Sequence, residues 1–258
     1  MTDALTGRRV FDLEQPRWAG APIHPAHAPP GFSYLLHRRH DPQAATPDGR
    51  SGSSGTLVSS DHAGTHIDAL THQAVDLKLC GGVDARAAAT AFGYTALGVD
   101  TIAPIVARGW LIDLGTVAPD GWIGLDGVRG AAAEQGVRPG AGDVVLLRTG
   151  NGVHWEDAER YLRGSGMKGE VSQWLADAGV LAVGADNMAW DHTGGADPDL
   201  GIALPGHVIL LVRSGIYIIE NLFLEELAAA GAHEFAFVCT PLKIRGATGS
   251  PVRPIALV

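Results

Sequence analysis

Residues 62–72, His-Ala-Gly-Thr-His-Ile-Asp-Ala-Leu-Thr-His, gather three histidines and one aspartate within eleven positions. Neutral imidazoles and a carboxylate are a donor set suited to Zn²⁺, Mn²⁺ or Fe²⁺, and positions left to water or substrate would make a bound ion catalytic. A single histidine beside an aspartate is more often a hydrogen-bonded structural pair, but four such groups this close argue for a metal. The spacing also constrains the backbone. At about 100° per residue a helix brings His66 near the face of His62, yet Asp68 falls about 200° further round, so one helical face cannot present all three. On an extended chain positions 62, 64, 66, 68, 70 and 72 share one side, with Gly64 supplying room and backbone freedom. A straight strand would hold His62 and Asp68 about 20 Å apart, too far for one ion at bond lengths of about 2 Å, so the segment must curve.

Strand-like runs that could deliver such a segment recur at 56–60, 110–114, 143–149, 180–184, 215–220 and 234–240. Segments of helical period lie between them at 125–135, 156–163, 169–178 and 222–230, the last closed by Gly231 as a C-cap. This interspersion predicts an α/β or α+β domain without fixing strand order. Two stretches lack regular pattern. Residues 18–55 hold many prolines, the histidines His24, His27, His37 and His40, and a Ser/Gly run, and read as an irregular loop, a candidate lid, leading into a strand. Residues 184–206 carry Asp186, Asp191, His192, Asp197 and Asp199 among glycines, as loops bearing binding groups do. Specificity is expected to reside in loops such as 18–55 and 150–167.

The 258 residues suit one compact unit, expected to span 1–258. With 46% hydrophobic and 18% charged residues, the chain can build a core, which excludes intrinsic disorder. Nineteen basic against 28 acidic residues leave a formal charge of −9, which argues against nucleic acid and anionic membrane as partners and leaves small molecules or proteins. Residues 1–15 show no basic patch followed by an apolar core, and apolar runs such as 208–212 are short. Neither a secretory signal nor a spanning helix is therefore expected. Cys80 and Cys239 form no disulfide framework and no paired-thiol metal motif, which points to a reducing, cytoplasmic setting.

Segment 62–72 resembles the signature of the metal-dependent cyclase family, which includes bacterial kynurenine formamidase, isatin hydrolase and a trans-dienelactone hydrolase. The family pattern His-x-Gly-Thr-His-x-Asp-x-Pro-x-His is matched at every fixed position but one, where Leu70 stands for the proline. The similarity extends from Asp12-Leu13, through 143–150, to Pro205-Gly206-His207 and Ile219-Glu220-Asn221-Leu222. It implies that His62, His66 and Asp68 are metal ligands, that His72 is catalytic, and that His207 and Glu220 complete a site for a second ion. It also implies a swivelling β/β/α fold, a mixed sheet with helices packed around it, and a homodimer.

On this reading the chain is a metal-dependent hydrolase of a small amide or lactam, using Mn²⁺ or Zn²⁺, with His72 as general acid and base titrating near neutrality. The alternatives are lactone or ester hydrolysis of the dienelactone type, and a metal-binding or ligand-binding protein without turnover. Asp186, after a strand, is a candidate to orient a metal ligand from behind. His24, His27, His37, His40, His154, His192 and His233 match no metal spacing and read mostly as solvated or locally hydrogen-bonded. Cys80 lacks a base nearby in sequence, which disfavours a thiol nucleophile. Residues 246–250 resemble an anion loop in composition but lack the lysine of a phosphate loop, so nucleotide binding is not expected. Residues 157–163, with Trp155 and Tyr161 nearby, read as packing.

Overall fold

The computed structural model describes residues 7–258 apart from 30, 42, 44 and 45. Residues 1–6 of the expected 1–258 unit, and those four positions of the 18–55 stretch, lie outside the described residues. The strands used below are, in chain order, β1 (Val10–Asp12), β2 (Phe32–Arg38), β3 (Ser54–Ser59), β4 (His66–Asp68), β5 (Ile105–Asp113) and β6 (Val144–Arg148). They continue with β7 (Ala182–Ala185), β8 (Tyr217–Glu220), β9 (Glu234–Cys239), β10 (Gly249–Pro251) and β11 (Ile255–Leu257). Nine of them form one mixed sheet in the order β1-β11-β9-β5-β6-β7-β8-β4-β10. The centre, β5 to β8, is parallel. The flanking pairs are antiparallel, which bears out the mixed α/β architecture.

Central parallel strands are covered on both faces and so read as nearly unbroken apolar runs. In β6, Val144 and Leu146 join Leu111, Ile219 and Phe237 on one side, while Val145 and Leu147 join Ile112, Val183 and Ile218 on the other. Helices α1 (Leu125–Glu134) and α2 (Gly169–Asp177) cover the second side with Val128, Val171 and Leu175. Helix α3 adds Leu210 and Leu211; it opens as Pro205–His207 and continues as a wide π-helical coil, Val208–Ser214. On the first side, α4 (Glu225–Ala229) contributes Leu227. Burying each of these aliphatic side chains is worth about 1.5–3 kcal/mol. Truncating one to alanine would cost about 2–5 kcal/mol.

Each of the six predicted strands and four predicted helical segments overlaps an element of its type, with the helix at 156–163 shortened to Ala158–Tyr161. Gly231 follows α4 at φ +63°, as a C-cap requires. The 18–55 stretch departs from expectation. Within it lies β2, which pairs with β3 as an antiparallel hairpin outside the main sheet. Among the described residues, no helix is long and apolar enough to cross a membrane.

Candidate metal centre

The centre follows from strand register. His66 and Asp68 are two residues apart on β4, so both point to one face while Ile67 between them enters the core. β4 pairs with β8 so that His66 lies opposite Glu220 and Ile67 opposite Ile219, which puts the Glu220 side chain on the same face as the histidine. His66 Nε2 stands 3.5 Å from Asp68 Oδ1 and 3.4 Å from Glu220 Oε2. α3 covers that face, and its first turn aims His207 Nε2 at Glu220 Oε1 (3.5 Å) and Asp68 Oδ2 (3.7 Å). Glu220 ends a parallel strand, and carboxyl ends of such strands are where open α/β sheets place ligands.

His62 arrives from the turn before β4, where Gly64 adopts φ +64°. That turn is closely held. Arg17 donates to the carbonyls of Ala63 and Thr65, and Asn221 Nδ2 donates to the carbonyl of Gly64 at 3.0 Å. On the far side β10 passes so near His62 that a Cβ at Gly249 would come within 2.8 Å of the ring, so only glycine fits. The segment therefore curves as its spacing demands: 66–68 is extended, while His62 and His72 lie in turns on either side.

The hydrogen bonds set which ring nitrogen is free. Thr248 Oγ1 donates to Asp61 Oδ2 (2.8 Å), so it accepts from His62 Nε2 (2.9 Å), leaving the lone pair of His62 Nδ1 facing Asp68 Oδ1 at 2.9 Å. His66 Nδ1 donates to the carbonyl of Gly64 (2.8 Å), and His207 Nδ1 donates to Asp191 Oδ2 (2.8 Å). Both therefore turn an unprotonated Nε2 inward. His62 Nδ1, both oxygens of Asp68 and Glu220 Oε1 are buried without a hydrogen-bond partner. Acceptors facing acceptors in a buried pocket are costly unless a cation lies among them. The donor set and these orphaned atoms fit a divalent ion, and among the described residues the groups with mutually close ligand atoms are His62, His66, Asp68; Asp68, His72, His207; and His27, His62, His72.

The charges respond accordingly. Burial, reinforced by Asp68 and Asp191, pushes the Glu220 carboxyl well above its ordinary range. Burial would push Asp68 up too, but His72, His62 and His66 outweigh it and hold that carboxyl well below. Burial lowers His62 and His207, yet Asp68 and Asp61 raise the former overall, and Asp191 and Asp68 the latter. His72 moves the other way: burial, with repulsion from His62, His207 and His27, takes it to about 3 despite Asp68. The near-neutral value expected for His72 is thus displaced, chiefly by burial, with its ring 4.1 Å from that of His62.

The structure brings together all six residues singled out from the sequence, His62, His66, Asp68, His72, His207 and Glu220. Asp186 does not join them: it accepts from Thr149 N (2.8 Å), Thr149 Oγ1 (2.7 Å) and Gly152 N (3.4 Å), fixing the loop after β6. The carboxylate behind His207 is instead Asp191, which also takes the amides of Gly206 (2.7 Å) and His207 (3.0 Å). Two further residues were missed. Asn221, at φ +57°, ties Gly64 to Tyr161, whose hydroxyl donates to Asn221 Oδ1 at 3.0 Å. His27, grouped from sequence with solvated histidines, stacks on His62 and lies beside His72. No spacing signals it, since it comes from the turn before β2. Trp155 and Tyr161 are packed with Met188 as expected. Gly249 and Ser250 of the glycine-rich run enter β10 along β4.

Comparison with known proteins agrees with this geometry. Residues 10–192 match the family model described as putative cyclase. Kynurenine formamidase of Paracidovorax citrulli is 26% identical over 250 residues, covering 97% of both chains. A crystal structure described as a novel cyclase superposes with a TM-score of 0.87 at 28% identity, covering all of this chain and 91% of its own. An isatin hydrolase bound to the product analogue thioisatinate shares the fold at a TM-score of 0.76 and 24% identity, covering all of this chain and 95% of its own. From the register of β4 and β8 to the family match over residues 10–192, these observations converge: the chain belongs to the cyclase family.

Proposed function

We propose that the protein is a metal-dependent hydrolase of a small amide or lactam, with Mn²⁺ or Zn²⁺ as its ion. The observation that carries this reading is the buried convergence of His62 Nδ1, Asp68 and Glu220 Oε1, all without hydrogen-bond partners, around inward-facing imidazoles. His62, His66 and Asp68 would hold one ion, with Asp68, His207 and Glu220 available to a second. When bound, such an ion polarises a carbonyl and lowers the pKa of water toward neutrality. Asp191, Thr248 and the Gly64 carbonyl keep the three ligand imidazoles in the tautomer that presents a lone pair. His72, beside His62 and held unprotonated by its burial, accepts a proton from the attacking water and returns it to the departing nitrogen. The similarity to a kynurenine formamidase supports amide over lactone chemistry.

The same reading includes a homodimer in a cytoplasmic setting. Two unpaired cysteines support the setting. The hairpin supports self-association: Tyr34, Leu35, Leu57 and Val58 are each at least half exposed, and register places Tyr34 opposite Leu57. A second copy would cover that apolar surface.

The test divides two roles. His66→Ala is expected to lose bound metal, whereas His72→Ala keeps it and loses about 10²- to 10⁴-fold in turnover of an arylformamide. Elemental analysis and paired amide and lactone assays read the outcome. Equal metal loss in both variants, or full activity after exhaustive chelation, would overturn the assignment.

A further inference from the structure

His27 reaches the centre from outside the motif. It ends the turn Pro25–His27, in which His24 Nδ1 accepts from Ala26 N (3.2 Å) and the His24 carbonyl accepts from His27 N (2.9 Å). That turn lays the His27 ring on His62, with centroids 4.6 Å apart and planes 19° from parallel, and 5.6 Å from His72. One ring nitrogen from each of His27, His62 and His72 lies within 4.8 Å of the other two. His27 and His72 are only partly buried, whereas His62, His66, Asp68, His207 and Glu220 are buried. His27 and His72 therefore sit on the open side of the inner residues.

We propose that His27 and His72 form an outer cation position that takes Zn²⁺ in excess and stops turnover by occupying the His72 imidazole. The inference rests on the preceding reading of His72 as proton carrier and of the inner residues as ligands. His62 cannot serve both groups, because its Nδ1 faces Asp68 at 2.9 Å and its Nε2 is engaged by Thr248 at 2.9 Å. The outer position keeps two imidazoles and gains no carboxylate of its own, against two imidazoles and Asp68 inside, so it is the weaker site and fills last. Imidazole donors suit zinc, while manganese prefers carboxylate and water, so excess zinc inhibits and excess manganese does not. Activity accordingly rises with zinc while the inner ligands fill and falls beyond that point.

The experiment is equilibrium dialysis of the full-length protein and of His27→Phe against zinc, with arylformamide turnover measured at each concentration. Phenylalanine keeps a flat ring at this position but offers no nitrogen, and His27→Gln serves as a second, smaller replacement. Both variants are expected to bind one zinc fewer per chain at saturation. Each should need at least about tenfold more zinc to halve its own maximal turnover. Equal zinc counts, or equal inhibition curves, overturn the outer position. If neither wild type nor variants bind zinc, the inner reading fails and the outer position falls with it.

Discussion

The inner ligands and the N-terminal segment that reaches them are built in opposite ways. Around β4, β8 and α3 the imidazoles of His66 and His207 are each fixed twice, once by strand register or a helix start and once by a bond behind the ring, the Gly64 carbonyl for His66 and Asp191 for His207. The N-terminal segment is a turn carrying His27 and a hairpin, β2 and β3, that stands outside the main sheet with apolar side chains in the open. The first arrangement suits chemistry that tolerates little displacement. The second suits contact with whatever differs among relatives, the substrate body or a second copy of the chain. Two-fold anchoring thus separates the reaction from its recognition.

Four variants would break or sharpen this contrast. Asp68 is common to both inner groups, so Asp68→Asn is expected to weaken metal binding by more than about 10²-fold, beyond the range of residues that merely orient a ligand. Metal titration followed by elemental analysis reads it, and an undiminished ion content would show that the inner groups are not what they resemble. Asp191→Asn keeps the shape but weakens the bond to His207, and should cost about 10- to 100-fold in metal affinity while leaving the unfolding transition cooperative. On the outer side, Leu35→Ser with Val58→Ser should weaken self-association by about tenfold or more, given about 1.5 kcal/mol or more per aliphatic side chain buried. Sedimentation would detect it, and ion content should not change. The smallest effect is expected between the regions. Tyr161→Phe removes one buried hydrogen bond to Asn221 and should lower stability by about 1 kcal/mol, read as a shifted denaturant midpoint.

How much of this was written openly in the sequence varies with the kind of contact. His62, His66, Asp68 and His72 fall within eleven residues, and with a helix excluded, the span of a straight strand already required a bend. His207 and Glu220 were reachable only through family resemblance, because a helix start and a strand end far along the chain carry no local sign of facing β4. Asp186 and Asp191 share one glycine-rich loop, and only the fold decides which carboxylate meets α3 and which caps the amides after β6. β2 escaped notice because Phe32–Arg38 follows a proline-rich stretch and lacks the alternation that one buried face imposes. The central strands were plain for the converse reason: burial on both sides makes them uniformly apolar.

The pairing of Ile67 with Ile219 beside His66 with Glu220 also governs which changes the chain survives. Deleting one residue from β4 would swing isoleucine toward Glu220 and His207 and drive imidazole into hydrocarbon. The greasy neighbour thus proofreads the polar one. A misaligned copy fails to fold before it can miscatalyse, and insertions should be tolerated in the N-terminal hairpin long before they are tolerated here.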